Sequence, residues 1–204
     1  KDNETILKEL KNKLKLENIN INLYLGNEIF VENNMLELLK NKSATSLNKS
    51  RYILFELPMN NNFKGLKDLL FNLQVNGYIP VIAHPERYRF IKENPEAIME
   101  LHQAGALFQV NVGSILGNYG EEAKKTMMLL LKHQIPSFMA TDTHHDTHEF
   151  YKKIPEVKNI LKKHIPEDYI EELFNVNTKN ILENKTFEPR DAIPFKKGLF
   201  GKIK

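Results

Sequence analysis

The sequence predicts a parallel α/β architecture, and three observations carry that expectation. Short apolar runs recur along the chain, amphipathic helical patterns separate them, and the runs end in polar side chains of one chemical kind. Continuous apolar runs of this length are what strands buried on both faces look like. Strand and helix in alternation leave two arrangements open, a barrel or an open doubly wound sheet, and both collect functional groups at the C-terminal ends of their strands.

Taken in order, "KDNETILKEL" opens an amphipathic helix carrying Leu7, Leu10 and Leu14. The predicted strands are "INLYLG" at 21–26, "YILFEL" at 52–57, "IPVIAH" at 79–84, "LFQVNV" at 107–112 and "IPSFMATD" at 135–142. Between the second and third, Leu66, Leu69, Leu70 and Leu73 share a helical face that stops at Gly77. The next helix has Asn94 as its expected N-cap, Pro95 at its first position and Gly105 past its end. "EEAKKTMMLLLKH" supplies another helix, and beyond residue 151 the pattern is mostly helical, with prolines opening each segment. No internal linker interrupts the pattern, so one domain over 1–204 is expected. The chain begins inside a helix, so that domain is expected to be N-terminally incomplete. Residues 190–204, ending in "FKKGLFGKIK", read as a flexible basic tail whose membrane contact would be peripheral at most.

Composition narrows the chemistry. A chain of 204 residues with 41% hydrophobic residues can bury a core. With 29 basic and 26 acidic residues the net charge is only +3, too little for the basic stripe that nucleic acid requires. There are no cysteines, which removes thiolate metal sites and cysteine nucleophiles. No apolar run approaches the ~20 residues that span a bilayer, and the expected location is the cytoplasm.

Four of the five strands end in metal-competent groups: Glu28 just past the first, Glu56 in the second, His84 closing the third, and Asp142 with His144 closing the fifth. A carboxylate inside an apolar strand, as Glu56 is, is costly unless a cation pairs it. Carboxylates with imidazoles and no thiolate suit manganese, zinc or iron. After His84, Arg87 is either a bidentate phosphate clamp or the salt-bridge partner of Glu86 or a loop carboxylate, with Arg89 close behind. His144 and His148 are four apart, as in a helical zinc pair, but no glutamate follows the first and a strand runs directly into them, so that reading is set aside. His145, Asp146 and His148 belong to the loop, where they line a substrate entrance or face water.

In order, "LGNEIF", "SRYILFELPMN", "PVIAHPERYRF", "QVNVGSILG" and "MATDTHH" resemble the bacterial capsular and exopolysaccharide tyrosine-protein phosphatases of the polymerase and histidinol phosphatase superfamily. The resemblance implies a distorted (β/α)7 barrel, here without its first one or two β/α units. It implies up to three divalent ions, manganese above all, and hydrolysis of phosphotyrosine on the tail of a bacterial tyrosine autokinase. Under it, Glu28, Glu56, His84, Asp142 and His144 match metal ligands, Arg87, Asp142 and His144 take catalytic roles, and Arg87, Arg89 and His148 contact substrate. Two departures stand out: the family's opening His-x-His strand and the strand after it are missing, and "HHDTHEF" has His148 and Glu149 where relatives carry a second arginine. A small-molecule phosphoesterase of the histidinol phosphatase type, or a kinase-tail-binding module with impaired catalysis, are the alternative readings.

Overall fold

The computed structural model describes residues 2–196. Within them, after an N-terminal helix α1 (Asn3–Leu16), the chain builds five parallel strands, β1 (Glu28–Phe30), β2 (Tyr52–Glu56), β3 (Ile79–Ala83), β4 (Leu107–Asn111) and β5 (Phe138–Ala140), hydrogen-bonded in the order β1-β2-β3-β4-β5. Each strand adds beside the last, and nowhere does the order reverse. That is the winding of a barrel wall; a doubly wound sheet requires a reversal, so one of the two architectures left open by the sequence is removed.

Strand period divides the side chains between two faces. On the outer face Ile29, Ile53, Phe55, Ile82 and Phe108 pack against α2 (Met35–Lys40), α3 (Leu66–Val75) and α5 (Ala97–Gln103). Further along the sheet, Val110 and Met139 pack with α6 (Val112–Ile115), α7 (Glu121–Lys132), α8 (Ile154–Leu161) and α9 (Glu167–Glu171). On the inner face Tyr52, Leu54, Val81, Ala83, Leu107 and Phe138 form a separate cluster, closed by Ile181 of α10 (Asn177–Leu182) and by Phe187. By the same alternation Glu56 and Asn111 end their strands on this inner face.

Two expectations are corrected. The run at 21–26 is not a strand: Ile21 and Tyr24 are exposed, and the sheet starts at Glu28, because the side chains that reach the outer core are Ile29 and Val31. Glu28 is thus the first residue of β1, level with Leu54, and not a residue past a strand end. Second, Asn94 ends the short helix α4 (Arg89–Glu93), and α5 starts at Ala97, two residues beyond Pro95. The first residues of the segment expected as a basic tail make these contacts. Arg190 donates to both carboxylate oxygens of Glu172 at 2.7 and 2.8 Å and to Asp168 at 2.6 Å, while His133 donates through Nδ1 to the Ile193 carbonyl at 2.6 Å. Phe195 stacks on the His133 ring at 4.0 Å. The rest of that segment, 197–204, lies outside the described residues.

One side chain ties the functional edge of the sheet together. Tyr88 is fully buried; its hydroxyl donates to the Ala83 carbonyl at 2.7 Å and accepts from the Leu57 amide at 2.9 Å, fastening the end of β3 to the end of β2. Burial pushes its pKa well up, so the hydroxyl keeps the proton it donates. Tyr88→Phe leaves a buried amide and carbonyl unpaired and is expected to cost about 1–3 kcal/mol of stability. The check is a chemical denaturation curve; a midpoint equal to that of the parent protein would refute the clamp.

Candidate metal and phosphate site

Two successive strand ends supply the centre of the site. Glu56 is the last residue of β2, and His84 follows β3 directly in a left-handed conformation, φ 34°, with its amide bonded to the Gln109 carbonyl at 2.7 Å. This holds an imidazole that is 2% exposed with Nε2 3.1 Å from a Glu28 oxygen and 3.3 Å from a Glu56 oxygen. One donor atom from each of the three residues falls within 4.8 Å of the others. A ring nitrogen carries at most one proton, so it cannot satisfy two carboxylates that also repel each other.

A divalent cation among these atoms resolves the conflict. Two carboxylate oxygens and an imidazole nitrogen form a donor set suited to manganese, zinc or iron, so the residues present fit such an ion. The second His84 nitrogen, Nδ1, is buried and has no hydrogen-bond partner among the described residues.

The other half of the cleft is built around Arg87, which ends a single 3-10 turn, Pro85–Arg87. Its Nη1 lies 3.6 Å from Asp142 Oδ2, and its guanidinium sits 4.4 Å above the centre of the Tyr119 ring. Asp142, itself at φ 51°, accepts a 2.6 Å hydrogen bond from the Asn111 side-chain amide at the end of β4. Beneath Arg87, Glu86 is fully buried and accepts from Ser114 Oγ at 2.6 Å and from the Asn111 amide at 3.0 Å. Burial raises the Glu86 pKa, and those two hydrogen bonds partly offset the rise. Its carboxyl therefore braces the β4 end, and the partner of Arg87 is Asp142, not Glu86.

His144 donates through Nδ1 to the Asp142 carbonyl at 3.0 Å, with its side chain 65% exposed. His148 lies in the loop beside it, ring to ring with His145 and Phe150 at 5.1 and 5.3 Å. Residues 144–148 form no helix, so no helical zinc pair exists here. The three histidines join Arg87, Tyr119, Asp142 and the Glu28–Glu56–His84 group in one open cleft of about 470 Å³.

The structure brings Glu28, Glu56 and His84 into ligand range of one another. Asp142 and His144 line the same cleft but stand outside that close group. Arg89 is elsewhere: its guanidinium points along α4 to Glu93 at 2.7 Å, which raises its pKa, and it does not line the cleft. Sequence reasoning passed over Asn111, Tyr119 and the bracing role of Glu86. Asn111 carried a signal, since it is the polar residue that ends the one strand credited with none.

Residues 1–183 match the model of the capsular polysaccharide synthesis family CpsB/CapC. Similar proteins include CapC of Staphylococcus aureus, 35% identical over 181 residues, covering 88% of this chain and 69% of that one. Tyrosine-protein phosphatase YwqE of Bacillus subtilis is 32% identical over 195 residues, covering 95% and 76%. The fold matches a chain from the crystal structures of YwqE from Bacillus subtilis and CpsB from Streptococcus pneumoniae, described as metal-dependent tyrosine phosphatases. The TM-score is 0.84 at 32% identity, over 93% of this chain and 76% of that chain. The fold, the carboxylate–histidine cleft and the match over most of the sequence agree, and the chain belongs to the CpsB/CapC family of capsular polysaccharide synthesis proteins.

Proposed function

We propose that this protein is a metal-dependent protein-tyrosine phosphatase acting on the phosphorylated tail of a bacterial tyrosine kinase of capsule synthesis. The observation that carries the reading is the convergence of Glu28, Glu56 and His84 beside an arginine in an open cleft. Family membership and the tyrosine-phosphatase names of its relatives support it. The reading brings a cytoplasmic location with it, because kinases draw on cytoplasmic ATP.

Divalent ions, manganese first and zinc or iron as alternatives, would supply positive charge that polarises the phosphoryl oxygens and lowers the pKa of water for in-line attack. Glu28, Glu56 and His84 would hold such an ion, with Asp142 and His144 as further candidate ligands. Arg87 offers a planar pair of N–H groups to the phosphoryl oxygens and stabilises charge that grows on them in the transition state. Asp142 lies 3.6 Å from that guanidinium as its counter-charge. His148, at the mouth, meets the part of the substrate beyond the phosphate. The chain has no cysteine, so no thiolate of its own forms a covalent intermediate.

Metal content gives the first check. Glu56→Gln and His84→Ala should each weaken manganese binding by more than tenfold in calorimetry, since even partners of ligands commonly contribute that much; parental affinity in both would sink the site. Arg87→Ala should lower kcat/KM on p-nitrophenyl phosphate by about 10²–10³-fold with metal content unchanged, the scale of losing one oxyanion donor. On substrates, a phosphotyrosine peptide is expected to turn over faster than histidinol phosphate. The reverse order would favour a small-molecule phosphoesterase, and peptide binding without turnover by the manganese-loaded chain would favour a kinase-tail-binding module.

A further inference from the structure

Arg87 is held by little that is conventional. Among the described residues no hydrogen bond holds its guanidinium, and its contact with Asp142, at 3.6 Å, is longer than a hydrogen bond. What lies against it at close range is the face of Tyr119, 4.4 Å from guanidinium carbon to ring centre. A planar cation over an aromatic face is attracted by the ring quadrupole and keeps its N–H edge free. A phosphate clamp needs that free edge.

The ring has a built seat. Tyr119 lies in the turn "GNYG" between α6 and α7, and the surface beneath it is Gly113, a buried residue of α6 two positions after Asn111. A Cβ at Gly113 would fall 2.8 Å from Tyr119 Cε2 and 3.2 Å from Phe150 Cζ. The edges of both rings therefore come close to a bare α-carbon, and a methyl group there would displace the ring that faces Arg87.

We propose that Tyr119 is a positioning residue for the phosphate-binding arginine, holding the Arg87 guanidinium by its ring face with its donor edge turned into the cleft, and that Gly113 sets the height of that ring. The proposal rests on the phosphatase reading, in which Arg87 receives the phosphoryl group.

The test uses the manganese-loaded full chain and inorganic phosphate as probe, its affinity measured as a competitive inhibition constant against p-nitrophenyl phosphate. Tyr119→Leu is expected to weaken phosphate by roughly 3- to 30-fold, the span of a cation–π contact from half-exposed to desolvated. KM should rise while bound manganese stays unchanged. Tyr119→Phe, which keeps the ring, should restore phosphate affinity to within about twofold, and Gly113→Ala should fall on the weakened side. In an Arg87→Ala background, Tyr119→Leu should have no further effect, because a residue acting through another is silent once that other is gone. Phosphate affinity in Tyr119→Leu equal to the parent's, or an equal loss with and without Arg87, overturns the role of Tyr119 alone. A parent protein that neither binds phosphate nor cleaves the aryl ester overturns the phosphatase reading and this inference with it.

Discussion

One imidazole nitrogen between two carboxylates is the constraint on which the rest depends. His84 Nε2 faces oxygens of Glu28 and Glu56 at 3.1 and 3.3 Å, in a place where the ring is almost wholly shielded from water. Like charges brought this close repel, and shielding deepens the repulsion. A fold that keeps such a trio together must do so with interactions that do not depend on the trio itself. The ladder pairing β1 to β2 and β2 to β3, the His84 amide on the Gln109 carbonyl, and the Tyr88 hydroxyl between two strand ends do that work with neutral groups. Glu28, Glu56 and His84 are thus held close by hydrogen bonds between neutral groups that do not depend on a bound cation.

Sequential winding explains why these groups meet. Because each strand lies beside its predecessor and runs the same way, every strand end opens onto one rim, and alternation decides which residue at that rim turns inward. Glu56 and Asn111 share the inner face, two strands apart, with His84 between them in space. Asn111 then carries the order of the sheet across to the loop after β5 by its bond to Asp142, while Glu86 fixes the backbone from which Asn111 projects. The carboxylate side and the arginine side of the cleft are therefore halves of a single braced rim.

Much of this was legible in the amino-acid pattern. The strands β2 to β5 sit within the apolar runs that announced them, since a strand buried on both faces has little freedom in composition, and Glu56 and His84 stood out because nothing else justifies a charge there. The first strand was misplaced. "INLYLG" has more apolar character than "NEIF", but what makes β1 is the register with β2, a nonlocal fact that local periodicity does not contain. The same limit hid Tyr88, Tyr119 and Gly113. A tyrosine hydroxyl that joins two strand ends, or a ring edge close to a bare α-carbon, has meaning only once distant segments meet. Arg89 shows the converse, because its place in "HPERYRF" suggested a role beside Arg87, yet one more turn of chain directs it along α4 to Glu93.

His84 and Asp142, on opposite sides of the cleft, both sit in the left-handed region, at φ 34° and 51°. For His84 this conformation costs on the order of 1 kcal/mol or more, while Asp142, of a residue type that tolerates it better, is strained less, and glycine would occupy either freely. Glycine at either position would relax the backbone there and remove a side chain that lines the cleft. Any stability gained by glycine at His84 would therefore come with the loss of the imidazole that faces Glu28 and Glu56.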